Sequence, residues 1–194
     1  MTSYTLEPVS SETGFLAAAL IYEAFNEYYD IFGLSEPTIK SLISEQLALE
    51  GTEISGTSVL SENGHALPAV LSALPANDLG PARMQGTFHL LGLLDNDQKA
   101  VALRELKSFA AGFHDVPDDC FYLSRIAVSS THRRKNLGSV LLQEFTALGK
   151  DYPALGLHVS AARSGTVQFY QNNGYEIWGP DDAPFLAMVK QNRP

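Results

Sequence analysis

From Cys120 to Lys190 the sequence alternates strand-like and helix-like stretches, and this order constrains the fold more than any other feature. "CFYLSRIAV" is rich in aromatic and β-branched residues and predicts a strand, and "GSVLLQEFTALGK" predicts a helix with Leu141, Phe145 and Leu148 on one face. "ALGLHVSA" is a second strand, "SGTVQFYQNNGY" a short helix stopped by Gly174, and "APFLAMVK" a last strand. Strand, helix, strand, helix, strand in succession argues for an α/β arrangement.

The first half has a different grammar. "YTLEPVS" alternates weakly and predicts a first strand; Phe15, Leu16, Ala19, Leu20 and Phe25 then fall near helical spacing from Thr13 to Asn26. Ser35 and Pro37 open a second helix with the stripe Ile39, Leu42, Ile43 and Leu47, ended by Gly51. Two strand-like runs flank Asn63-Gly64, the dipeptide suited to a hairpin turn in which both central residues need positive φ. Phe88 to His114 is helical again, interrupted by "DNDQ", where Asp95 and Gln98 have capping-box spacing, with Leu103, Leu106, Ala110 and Phe113 as the second stripe. An antiparallel first half joined to alternating strands and helices predicts one α/β domain around a mixed β-sheet.

Length and charge exclude several functions. A chain of 194 residues suits one domain with a full core. The single cysteine, Cys120, forms no internal disulfide, and "MTSYTLEPVS" has neither the basic flank nor the apolar stretch of a signal peptide, so a cytoplasmic protein is expected. No apolar run approaches the roughly 20 residues that span a bilayer, and no membrane association is expected. A net charge of -9 argues against nucleic acid as a partner. Asp181 and Asp182 lie in a loop without metal-ligand spacing, and no metal site is expected.

Against this acidic background His132, Arg133, Arg134 and Lys135 stand side by side just before the predicted helix. A strand ending at Val128, a short basic loop and a helix beginning near Gly138 bring free backbone N–H groups and positive charge to one place, which is an anion site. Gly138 lets a phosphate approach the backbone, and Asn136 tolerates positive φ, within the spacing R133-x-x-N136-x-G138. There is no G-x-x-x-x-G-K-[ST] and no G-x-G-x-x-G after a strand, so a P-loop and a Rossmann dinucleotide site lack their defining residues.

These residues resemble the GNAT superfamily of acyl-CoA-dependent N-acyltransferases. The first motif reads Val128, Ser130 in place of the usual proline, Arg133, Asn136 in place of the first glycine, Gly138 and Leu141-Leu142; the second reads Leu157, Val159, Tyr170, Gly174 and Tyr175. His114, Pro117, Phe121, Tyr122 and Leu123 are similar to the branch that includes puromycin N-acetyltransferase. The resemblance implies a GNAT fold with splayed parallel core strands, an acceptor-side part over about residues 1–114 and an acetyl-CoA-binding core over about 120–178. It implies that the backbone of Ile126, Ala127 and Val128 pairs with the pantetheine arm. Arg133, Arg134, Lys135, Asn136, Leu137, Gly138 and Ser139 would hold the pyrophosphate of acetyl-CoA, and Tyr170 would be the acid that protonates the leaving thiolate. The amine would attack the thioester directly; Cys120 lacks a His and Asp pattern to activate it as a nucleophile.

The expected reaction is acetylation of a primary amine of a small molecule. The alternatives are acetylation of a protein N-terminus or lysine, or a non-catalytic acyl-CoA-binding module. Relatives often carry a glutamate on the core strand as base, and Tyr122 occupies that place here; Glu27, Tyr28, His89 and His114 are further residues on elements expected to line the acceptor pocket. Family habit also implies a homodimer paired through the final strands.

Overall fold

The strand-like runs assemble into one seven-stranded mixed sheet in a computed structural model that describes residues 4–192. The strands are β1 Tyr4–Pro8, β2 Ser58–Glu62, β3 His65–Pro75, β4 Phe121–Val128, β5 Ala154–Ser160, β6 Glu176–Ile177 and β7 Phe185–Gln191, in the spatial order β1-β2-β3-β4-β5-β7-β6. Every neighbouring pair is antiparallel except β4 with β5. Asn63 and Gly64 both have positive φ, 52° and 80°, and close the two-residue β2–β3 hairpin as the sequence requires.

Six α-helices cover the sheet: α1 Gly14–Tyr29, α2 Glu36–Ala48, α3 Ala76–Leu91, α4 Asn96–Ala110, α5 Leu137–Leu148 and α6 Ser164–Asn172. Alternation along the strands divides the core. Val59 and Val70 point to the face carrying α1 to α4, whereas Leu60, Ala69 and Leu71 point to the face carrying α5 and α6. β5 is buried continuously from Ala154 to Leu157, as a central strand covered on both faces must be.

Local signals located most helix ends. Ser35 accepts the Thr38 N–H at the start of α2, whose stripe Ile39, Leu42, Ile43 and Leu47 is buried. Asp95 and Gln98 form both bonds of the capping box on α4. Four expectations need correction. α3 begins at Ala76, not Phe88, and contains Pro81; the "GP" step reads as a break, but burial of Leu79, Ala82, Leu90 and Leu91 outweighs it. On α1, Phe15 is 70% exposed while Ala17, Ala18, Leu20 and Ile21 form the buried face. On α4 the inward row is Ala102, Leu106 and Phe109 in place of Leu103 and Ala110, one step round the helix, and on α5 Leu148 is likewise exposed.

Two details position the site. β4 and β5 pair only from Phe121–Leu123 to Leu155–Leu157, and beyond this the two strands have no ladder. In the pairing of β3 with β4, consecutive Ser72 and Ala73 oppose Arg125 and Leu123, so Ser124 is an extra residue. Such a bulge bends the strand and turns the following side chains over. Tyr122 and Arg125, three residues apart, therefore share one face of the sheet where a regular strand would place them on opposite faces. No helix among the described residues is long and apolar enough to cross a membrane.

Candidate active site

Where β4 and β5 part there is a cleft of about 1000 Å³ that reaches from the basic loop to the C-terminal half of α1. One wall is local in sequence. Ile126, Ala127 and Val128 line it from the open edge of β4; Arg133, Arg134 and Asn136 follow from the loop, and Leu137, Gly138 and Ser139 from the first turn of α5. Lys135 stands within this loop but does not line the cleft.

The loop backbone is shaped for an anion. Arg134 and Asn136 both take left-handed conformations, with φ of 64° and 63°, the second realising the tolerance expected of asparagine. Asn136 provides no side-chain cap, and the first helical bond runs from Val140 N–H to the Asn136 carbonyl. The N–H groups of Leu137, Gly138 and Ser139 thus have no acceptor among the described residues, at the positive end of a helix dipole. A Cβ placed on Gly138 would meet only Phe169 at 3.8 Å, an ordinary contact. The missing side chain therefore leaves room in the cleft and is not demanded by packing within the protein.

The cations differ in their commitments. Arg133 donates to Glu23 on α1 at 2.7 Å, while Arg134 and Lys135 have no carboxylate partner among the described residues. On the opposite edge Arg163, just before α6, donates to the Ala24 carbonyl at 3.0 Å and lies 3.4 Å from Glu27. That carbonyl borders a kink in α1, where Phe25 leaves helical geometry with φ -140° and ψ 36°.

Tyr170 faces the same cleft from α6. Its ring packs edge-on against Phe169 and Tyr175, with centroids 5.4 and 5.7 Å away, and its hydroxyl has no hydrogen-bond partner among the described residues. Burial pushes the phenol well above its ordinary pKa, so it is held protonated and able to donate.

The other wall is assembled from distant segments. Glu53, in the loop between α2 and β2, is bonded to Arg125 of β4 at 2.5 Å and to Arg83 of α3 at 3.1 Å. Burial opposes ionisation of Glu53, but the two guanidiniums outweigh it and hold the carboxyl below its usual range. Arg125 stacks over Phe25 at 4.3 Å, and its buried Nε has no partner among the described residues. Arg83 Nη2 also donates to the Tyr122 hydroxyl at 2.9 Å. Tyr122 lies 2.9 Å from His158 Nδ1, and His158 Nε2 lies 2.6 Å from the His114 carbonyl. Burial lowers the imidazole to about 4, so the ring is neutral. A carbonyl only accepts, which puts the ring proton on Nε2 and leaves Nδ1 to accept the Tyr122 O–H.

Glu53, Arg83 and His158 escaped the sequence reading. His158 stood at the unassigned position between the motif residues Leu157 and Val159, and Glu53 in a loop with no motif of its own. Of the candidates named from sequence, Glu27 lines the cleft but is near Arg163; Tyr28 bonds Thr87 at 2.9 Å; His89 lies 3.4 Å from Glu45; His114 contributes its carbonyl. None of the last three lines the cleft. Cys120 is fully buried beneath β5, its thiol pushed up to about 11 by burial.

The acetyltransferase (GNAT) family model matches residues 82–175, which span the whole local wall, β5 and Tyr170. Residues 82–175 therefore form an acetyltransferase domain of the GNAT kind. Solved structures share its fold over nearly the whole chain. An N-acetyltransferase from Staphylococcus aureus Mu50 superposes with a TM-score of 0.71 at 13% identity, covering 95% of this chain and 99% of its own. A further acetyltransferase gives 0.65 at 18% identity, covering 97% and 100%. The PaiA N-acetyltransferase from Thermoplasma acidophilum, solved in complex with coenzyme A, gives 0.55 at 16% identity, covering 97% and 99%. No curated protein matches the sequence, and the narrower likeness to the puromycin N-acetyltransferase branch rests on its motif residues alone.

Proposed function

We propose that this GNAT protein transfers the acetyl group of acetyl-CoA directly to a primary amine of a small molecule. The observation that carries the reading is the parting of β4 from β5 beside three unpaired N–H groups and a protonated Tyr170, all on one cleft. The solved relative with coenzyme A on the same fold supports the choice of anion. The donor supplies a thioester carbonyl already activated for attack.

The residues divide the remaining work. The free N–H and C=O groups of Ile126 to Val128 receive an amide-bearing arm as an added strand. The N–H groups of Leu137, Gly138 and Ser139, with Arg134 and Lys135, hold a pyrophosphate, and Arg133 joins them by exchanging Glu23 for phosphate. Tyr170 gives its proton to sulfur as the C–S bond breaks. The acceptor-side part over about 1–114 contributes α1 and Glu53, and the core over about 120–178 contributes the donor site. The final strand, β7, lies between β5 and β6, so a homodimer in this reading pairs through the edge at β6, where Trp178 is 46% exposed.

Acetyl-CoA at millimolar concentration should raise the melting temperature, because a ligand bound only by the native state stabilises it by mass action. Thiol release across a panel of small primary amines then tests transfer. A chain that binds acetyl-CoA and releases thiol with none of them would be a binding module, and one that acetylates only peptides would move the acceptor to a protein amine.

A further inference from the structure

We infer that Tyr122 and His158 form the proton-accepting arm of the transfer, the phenol oxygen taking the proton of the acceptor amine while passing its own to His158 Nδ1. This rests on the amine-acetylation reading above. Both side chains line the cleft, and Tyr122 stands on the core strand at the place where a carboxylate was expected.

The polarity of the chain is set by chemistry at its two ends. The His114 carbonyl demands a donor, so Nε2 bears the hydrogen and Nδ1 presents a lone pair to the Tyr122 O–H at 2.9 Å. Arg83 fills one lone pair of the phenol oxygen from 2.9 Å. A phenol oxygen accepts twice, so one lone pair is left without a partner among the described residues, and an amine N–H in the cleft completes it.

The step balances. As the nitrogen lone pair forms the C–N bond, nitrogen becomes positive and its proton strongly acidic. That N–H breaks and a new bond forms at Tyr122 Oη, while the former Oη–H breaks and Nδ1–H forms. The electron pair of the N–H bond stays on nitrogen as the amide lone pair. His158 ends as an imidazolium still donating through Nε2 to His114, and returns the proton to water when product leaves.

Charge around the arm favours transfer in flight over a resting ion. The Arg83 guanidinium faces the phenol and stabilises negative charge developing on Oη, whereas burial and the same cation keep His158 neutral between turnovers. Glu53 and Asp115 supply the opposing negative charge, and Glu53 fixes Arg83 in place at 3.1 Å. Arg83 and Glu53 are therefore positioning residues. Glu53 itself is a poor base because two guanidiniums share it, and Glu27 is near Arg163.

The test uses the full chain with acetyl-CoA and amines of graded basicity, namely ethylamine, benzylamine and their fluorinated analogues. Tyr122→Phe and His158→Asn should each lower kcat by about 10²-fold or more on the most basic amine. The deficit should shrink as basicity falls, because water suffices for a more acidic N–H. His158→Asn keeps a hydrogen-bond acceptor for the phenol but takes no proton, so near-native turnover in that variant would overturn the relay. So would a deficit equal across all amines. The melting-temperature gain from acetyl-CoA should be retained in both variants, which reports that they fold. Should either fail to fold, the wild type alone decides. Its rate in mixtures of light and heavy water should curve as two protons move together, and a straight line would sink the proposal. Turnover with uniform deficits counts against the relay alone, whereas a wild type that binds acetyl-CoA and releases no thiol removes the transferase reading with it.

Discussion

The two walls of the cleft, donor and acceptor in the proposed reading, are built in opposite ways. The donor wall runs through one short segment, Ile126 to Ser139, and its key groups are backbone N–H groups and exposed cations. The acceptor wall joins Tyr122 to His158, Arg83 and Glu53–Arg125 across 36, 39 and 72 residues of sequence, through buried and half-buried side chains. The difference teaches which damage each wall tolerates. A backbone anion site survives loss of a side chain with reduced affinity, whereas removing one member of a buried charge network leaves the others unpaired.

That contrast can be broken in order of effect. Glu53→Ala should cost the most, about 3–5 kcal/mol of stability, because it strands Arg125 and Arg83 without their carboxylate. Urea denaturation at neutral pH measures it, and a loss under about 1 kcal/mol would show that the network is not what holds this wall together.

Acid should also loosen the acceptor wall. The unfolded imidazole titrates at 6.5 and the folded one at about 4, so below 6.5 the unfolded state binds a proton that the native state refuses. Stability contributed by neutral His158 is complete above 6.5 and declines as pH falls through that window, by on the order of 3 kcal/mol in total. His158→Asn should flatten this part of the stability profile, and an unchanged slope would contradict a buried neutral ring.

On the donor side the effects are smaller and fall on function. Tyr170→Phe should reduce kcat by about 10²-fold and leave acetyl-CoA binding nearly intact. Equal losses in both would reassign the residue to binding. Arg134→Ala with Lys135→Ala should weaken acetyl-CoA binding by about 10-fold, more at low salt, and change stability by no more than about 0.5 kcal/mol. Smallest of all, Asn136→Gly should stay within about 1 kcal/mol in stability, since glycine adopts the same left-handed φ, and a large loss would mean that the asparagine side chain has a further role.

The same contrast explains what could be read in advance. The strand, loop and helix of the donor wall were legible because turn, cap and dipole effects act within a few residues. So were the Asn63-Gly64 hairpin and the Asp95 capping box. The start of the helix at Ala76 had no local signal, because Gly80 and Pro81 disfavour a helix there and burial of Leu79 and Ala82 sustains it. Glu53 carried no local signal, and neither did the bulge at Ser124 that turns Arg125 to the face of Tyr122.

By itself, then, the sequence determined most of the order of strands and helices, the left-handed Asn136 before α5 and the proposed anion site beside it, since each depends on neighbours along the chain. Only the tertiary structure decided which side chains meet on the other wall of the cleft. Their meeting depends on strand register, on one bulged residue and on the docking of α1 to α3. These are contacts between segments far apart in sequence, selected by the burial of the whole core.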